Sequence, residues 1–136
     1  MYISKIFVTF AAGLDAKALH THVCVHPKVR NMNRATTIEQ IKTMGKQILP
    51  EGSHLWLYGS RARGDHRPDS DWDLLILLNK DKVALSDYDN VSYPFAELGW
   101  DLGEAINPVL YTHKEWEQRH FTPFYHNVED DKIVLV

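Results

Sequence analysis

The sequence predicts a mixed α/β (α+β) domain, and three observations carry that expectation. Two short apolar runs, His54–Tyr58 and Leu74–Leu78, have the length and the large side chains of buried strands. Apolar residues recur at helical intervals, first at Ile38, Ile41 and Ile48 with Met44 and Leu49 nearby, then at Phe95, Leu98, Leu102 and Ile106. Turn-forming segments separate these runs: Pro50-Glu51-Gly52, Gly59-Ser60 and Asn79-Lys80-Asp81-Lys82.

Composition bounds the function. With 136 residues, 44% apolar and 24% charged, the chain can bury one real core. A formal charge of -3 argues against generic nucleic-acid binding, since the basic residues cluster only at Arg61, Arg63 and Arg67. The one cysteine, Cys24, cannot form an internal disulfide, and no apolar run approaches a membrane span. The beginning is distinct. Lys5, the apolar stretch Ile6 to Leu14 and Ala16-Lys17-Ala18 imitate a signal peptide, but Asp15 and Lys17 flank the supposed cleavage site. His20, His22, Cys24 and His26 alternate and would line one face of a strand, yet zinc sites usually draw on two separated pairs, so an accidental cluster is the preferred reading. Residues 1–33 are therefore expected to be an N-terminal extension with Met32 as the natural start, and residues 34–136 the functional domain.

The elements follow in order. Thr36-Thr37-Ile38-Glu39 has the form of a capping box opening the first helix, whose polar face (Glu39, Lys42, Lys46) is solvated. Strand His54–Tyr58 ends at Gly59, which accepts a tight turn, and Ser60 is a natural helix cap. Exposed amides in such a bend, next to a helix start, favour anions such as phosphate. Leu74–Leu78 is five apolar residues without interruption, the mark of a strand buried on both faces. Val83–Tyr93 reads as helix with an irregular end, and Ser92-Tyr93-Pro94 as the start of a helix spanning Phe95 to Ala105. Asn107–Tyr111 is the next strand, with Pro108 favouring an early or edge position. Thr112 caps a helix from His113 to Arg119 with Trp116 as its core contact, Thr122-Pro123 opens another, and Lys132–Val136 closes the chain as a strand.

The chemistry concentrates in one stretch. Ten residues separate Ser60 from Asp71, and Asp71 and Asp73 stand at the mouth of the second apolar strand. Strand alternation sends both carboxylates to one side and Trp72 to the other. Two carboxylates on one side repel, and a hard divalent cation relieves them; oxygen ligands with room for water and phosphate suit Mg²⁺ better than zinc. Either motif alone means little, but together, at this spacing and between two apolar runs, they are specific. Arg63-Gly64-Asp65 has the letters of an adhesion motif, but the basic turn accounts for all three residues.

Gly59-Ser60, ten residues, then Asp71-Trp72-Asp73, with Arg61-Ala62-Arg63-Gly64 after the serine and Ser70 before the first aspartate, resembles the nucleotidyltransferase superfamily that includes DNA polymerase beta. Within it the chain looks most like the minimal nucleotidyltransferases of prokaryotes. The resemblance is strongest over residues 54–78 and extends from about Thr36 to the end. It implies a small mixed β-sheet flanked by helices, with Gly59, Ser60, Arg61 and Arg63 binding the nucleotide and Asp71 and Asp73 as catalytic carboxylates holding Mg²⁺ in a two-metal site. ATP is the implied substrate and the cytoplasm the implied location. The implied reaction is transfer of AMP to an acceptor hydroxyl, on a HEPN-type helical protein partner for which the chain would act as antitoxin. A homodimer that completes a small-molecule pocket ranks lower. Active members usually carry a third carboxylate on a later strand, but Asn107–Tyr111 has none, and Glu104 and Asp101 lie upstream of it. That departure supports the alternative, an inactivated transferase that neutralises a partner by contact.

Overall fold

The computed structural model describes residues 33–136. The expectations for His20, His22, Cys24 and His26, and for a boundary near Met32, lie outside the described residues.

Helix α1 (Arg34–Ile48) begins earlier than its capping-box signal suggested. The Asn33 side chain accepts from the Thr36 amide at 2.9 Å and from its hydroxyl at 3.0 Å, so Asn33 caps the helix and Thr36 lies inside it. Strand β1 (His54–Tyr58) and a single turn, α2 (Ser60–Arg63), follow, and a loop leads into β2 (Trp72–Leu78). Next come α3 (Leu85–Asp87), a wider π-helical turn over Tyr88–Ser92 and α4 (Tyr93–Leu102), which run on without a break. The helix start expected at Ser92 is thus an interior position. Pro94 has no amide and its ring crowds the carbonyl one turn back, and the wider turn, in which the Tyr93 amide reaches Tyr88 O, accommodates it. Helix α4 stops at Leu102, short of the expected Ala105, and β3 (Ile106–Thr112) follows. A reciprocal Thr112–Glu115 capping box opens α5 (His113–Glu117), Thr122 caps α6 (Pro123–Asp131), and β4 (Ile133–Val134), shorter than the expected Lys132–Val136, is the last element.

The four strands form one mixed sheet in the order β3-β2-β1-β4. Strand β1 pairs antiparallel with both β2 and β4, and β2 pairs parallel with β3, so β3 is an edge, where Pro108 is tolerated. Because β2 alternates between two covered faces, its apolar run is buried throughout. Trp72, Leu74, Ile76 and Leu78 pack with Ile41 of α1 and Phe95 of α4; Leu75 and Leu77 pack with Trp56, Trp116 and Val128. Trp116 is 1% exposed, as expected of a core contact, and its Nε1 donates to Glu129 Oε1 at 3.0 Å. Among the described residues, no helix is long and apolar enough to cross a membrane.

Helix α4 approaches the start of β3 so closely that Gly99 has no space for a side chain. A Cβ there would stand 2.8 Å from the Glu104 carbonyl oxygen and 3.0 Å from the Ile106 amide nitrogen. Gly99→Ala should therefore cost about 1–3 kcal/mol. For a domain of this size the melting temperature would fall by about 4–8 °C for each kcal/mol. Thermal denaturation checks this, and an unchanged midpoint would refute the close approach.

Candidate active site

The site starts from Gly59. Its backbone angles (φ 76, ψ -158) are closed to other residues, and a Cβ there would lie 2.7 Å from Asp73 Oδ2. The bend and the carboxylate therefore adjoin, and only a glycine fits between them. Gly59 itself, not Ser60, occupies the cap position of α2, with its carbonyl accepting from the amides of Ala62 and Arg63 at 3.0 Å each. The positive φ starts the turn one residue earlier than expected. The leading amides of the turn have no carbonyl partner within it.

Asp71 is exposed and just precedes β2, while Asp73 is its second residue and half-buried. Trp72 between them is 1% exposed on the opposite face, with its amide donating to Ala105 O at 2.8 Å. Burial pushes the Asp73 carboxyl above the usual range, the Asn107 amide partly offsets this, and the Asp71 charge raises it further. Tyr58, directly across the β1–β2 ladder from Asp73, is pushed up to about 12 by burial and then by the Asp73 and Tyr111 charges.

The arginines part company. Arg61 is 5% exposed, and its guanidinium donates to Ser70 O at 3.0 and 3.2 Å and to Pro68 O at 3.2 Å. It also lies 4.6 Å over the Trp72 ring and 3.6 Å from the Glu104 carboxylate. These contacts make it a buttress for the loop that delivers Asp71. Arg63 is exposed and pairs with Asp131 at 2.6 Å and Asp65 at 3.1 Å. Glu104 thus faces Arg61, and Asp101 is exposed on α4. The residue that sequence reasoning passed over is Asn107, in register with Asp73 on β3, whose Nδ2 donates to Asp73 Oδ1 at 3.4 Å. Its signal was positional: it is the second residue of its strand, as Asp73 is of its own.

Among the described residues, no group of three or more His, Cys, Asp or Glu side chains surrounds a common point. Asp71 and Asp73 offer oxygen alone. So sparse a donor set fits a cation that keeps water and substrate phosphates as ligands, as Mg²⁺ does, and does not fit a zinc cage.

A mixed sheet with paired carboxylates beside a glycine–serine bend is the architecture anticipated for a polymerase beta-like transferase. The family model for a nucleotidyltransferase domain matches residues 38–134, and the chain belongs to that family. Among solved structures, a chain of a toxin–antitoxin complex with AMP-PNP superposes with a TM-score of 0.54 at 16% identity, covering 73% of this chain and 72% of its own. A proposed nucleotidyltransferase from Sulfolobus solfataricus superposes with a TM-score of 0.50 at 18% identity, covering 79% of this chain and 86% of its own. At these identities the likeness is one of fold. A comparison with curated proteins finds no match.

Two substitutions probe this geometry. Gly59→Ala combines backbone strain with a collision against Asp73 and should destabilise by about 1–3 kcal/mol in urea unfolding, where a neutral result would contradict the close approach. Asp73→Asn tests the electrostatics. A carboxyl raised in the folded state contributes stability that is fully present below the ordinary carboxylate range and is lost as pH rises through the raised value. Near neutral pH, with chelator present, Asp73→Asn should melt above the unsubstituted protein, and the gap should close in acid. A lower melting temperature at neutral pH would reverse the assignment.

Proposed function

We propose that the chain transfers AMP from ATP to an acceptor hydroxyl on a protein partner, acting in the cytoplasm as the antitoxin of a HEPN-type helical protein. One observation carries the reading: the Asp73 carboxylate lies against the Gly59–Ser60 bend, so a phosphate on the bend's free amides would sit beside the paired acids. The Gly59–Ser60 amides would grip the phosphates, and Asp71 and Asp73 would hold Mg²⁺, which when bound would neutralise charge on the phosphoryl oxygens. The acceptor oxygen bonds to the α-phosphorus in line as the bond to pyrophosphate breaks, and the hydroxyl proton passes to solvent. Positioning does most of the work. Arg61 takes part through the loop it braces, and of these two arginines Arg63 is the exposed one, open to a triphosphate. The toxin–antitoxin assembly and the AMP-PNP of the similar structure support a partner and an adenine nucleotide.

A second reading, a binding module that neutralises its partner by contact, is favoured by one specific feature: Asn107 stands in register with Asp73, where an acid would strengthen a metal site. Incubation with ATP, Mg²⁺ and the partner, followed by intact-mass measurement, should show one added AMP. No mass gain ends the protein-substrate version. Asp71→Asn and Asp73→Asn should each reduce transfer by about a hundredfold or more. Should both variants neutralise the partner undiminished, the contact reading replaces the enzymatic one.

A further inference from the structure

The two oxygens of Asp73 look toward different neighbours. Oδ2 faces the Gly59 bend, at 2.7 Å from where a Cβ would stand, and Oδ1 accepts from Asn107 Nδ2 at 3.4 Å. Parallel pairing makes this arrangement a property of the sheet, because Asp73 and Asn107 are register partners on neighbouring strands. The amide presents the partly positive end of an N–H to Oδ1, at the point where a cation approaching from the β3 side would need a negative oxygen. No other acid makes up the deficit: Glu104 faces Arg61 at 3.6 Å, and among the described residues no third carboxylate joins Asp71 and Asp73 in one cluster.

We infer that Asn107 makes this a single-cation site, in which Asp71 and Asp73 Oδ2 hold one divalent ion beside the phosphate bend and a second ion is refused. The inference rests on the nucleotidyl-transfer reading and narrows it. Two ions in such a displacement sit about 3.5–4 Å apart and stabilise the attacking and leaving oxygens together. With one ion on the triphosphate side, the phosphates are gripped but the acceptor hydroxyl is left without a cation of its own. Asn107 is thus a positioning residue: its N–H holds Asp73 with Oδ2 toward the nucleotide. The chain would retain ATP well and transfer slowly, a balance that its partner or an added carboxylate could shift.

Mn²⁺ with AMP-PNP tests this directly, because bound Mn²⁺ is counted by calorimetry and two close ions broaden each other's electron paramagnetic resonance. The unsubstituted chain should bind one Mn²⁺ for each AMP-PNP with an uncoupled spectrum. Asn107→Asp should bind two with a coupled spectrum, and Asn107→Ser, which removes the amide without adding charge, should stay at one. Asn107 is exposed, so these changes leave the core intact. Asn107→Glu supplies the same charge should Asn107→Asp fail to hold the nucleotide. Two ions in the unsubstituted chain, or one in both acidic variants with AMP-PNP bound, would overturn the inference while leaving the transferase reading in place. Absence of AMP-PNP binding to any of these proteins would remove that reading and the inference with it.

Discussion

The buried guanidinium of Arg61 is the contact on which the rest of the site depends. Its partners come from three places: the Ser70 and Pro68 carbonyls of the loop, the Trp72 ring at the start of β2, and the Glu104 carboxylate after α4. From outside, Arg34 at the start of α1 donates to the Arg61 carbonyl at 3.0 Å. Burying a charge is costly unless it is paired, and here carbonyls on Nε and Nη2, a carboxylate and an aromatic face offset that cost. A lysine could not replace it, since a single ammonium lacks the planar fork that reaches two carbonyls while standing over the indole. The loop carrying Asp71 is exposed for most of its length, and this one side chain closes it.

Sheet geometry does the remaining placement. Antiparallel β1–β2 and parallel β2–β3 pairing put Tyr58, Asp73 and Asn107 side by side across one row. The next row on the same face is Trp56, Leu75 and Val109, which pack with Trp116 and the aromatic residues of α6. The polar row is thus the rim of an apolar face, half out of water. That position explains why the Asp73 carboxyl and the Tyr58 hydroxyl are both shifted upward.

Local chemistry made much of this legible. The strands, the glycine bend, the Thr112 cap and the burial of Trp116 all follow from periodicity and single-residue preferences, which act over a few positions. What was not legible depends on pairing at a distance. Arg61 and Arg63 look alike in a basic segment, yet one is buried over Trp72 and the other is exposed, because only the first points at the core once β2 has docked against β1. Asn33 displaced the Thr36 capping box because two acceptors competed for one amide, and the upstream one also took the hydroxyl. The meeting of Asn107 with Asp73 is set by strand register, which no local pattern in either segment encodes.

Asp73 joins these themes in one residue. Its carboxylate is held partly out of water against a bend that tolerates no side chain, beside a like charge and with one neutral amide as partner. Without a cation, each of those features except the amide weighs against the folded chain. With one, the same features reverse sign, because a desolvated, oriented oxygen is a stronger ligand than a solvated one. Any ion that binds there stabilises the fold by the strain it relieves as well as by its own coordination, and the amide of Asn107 sets how much of that strain remains.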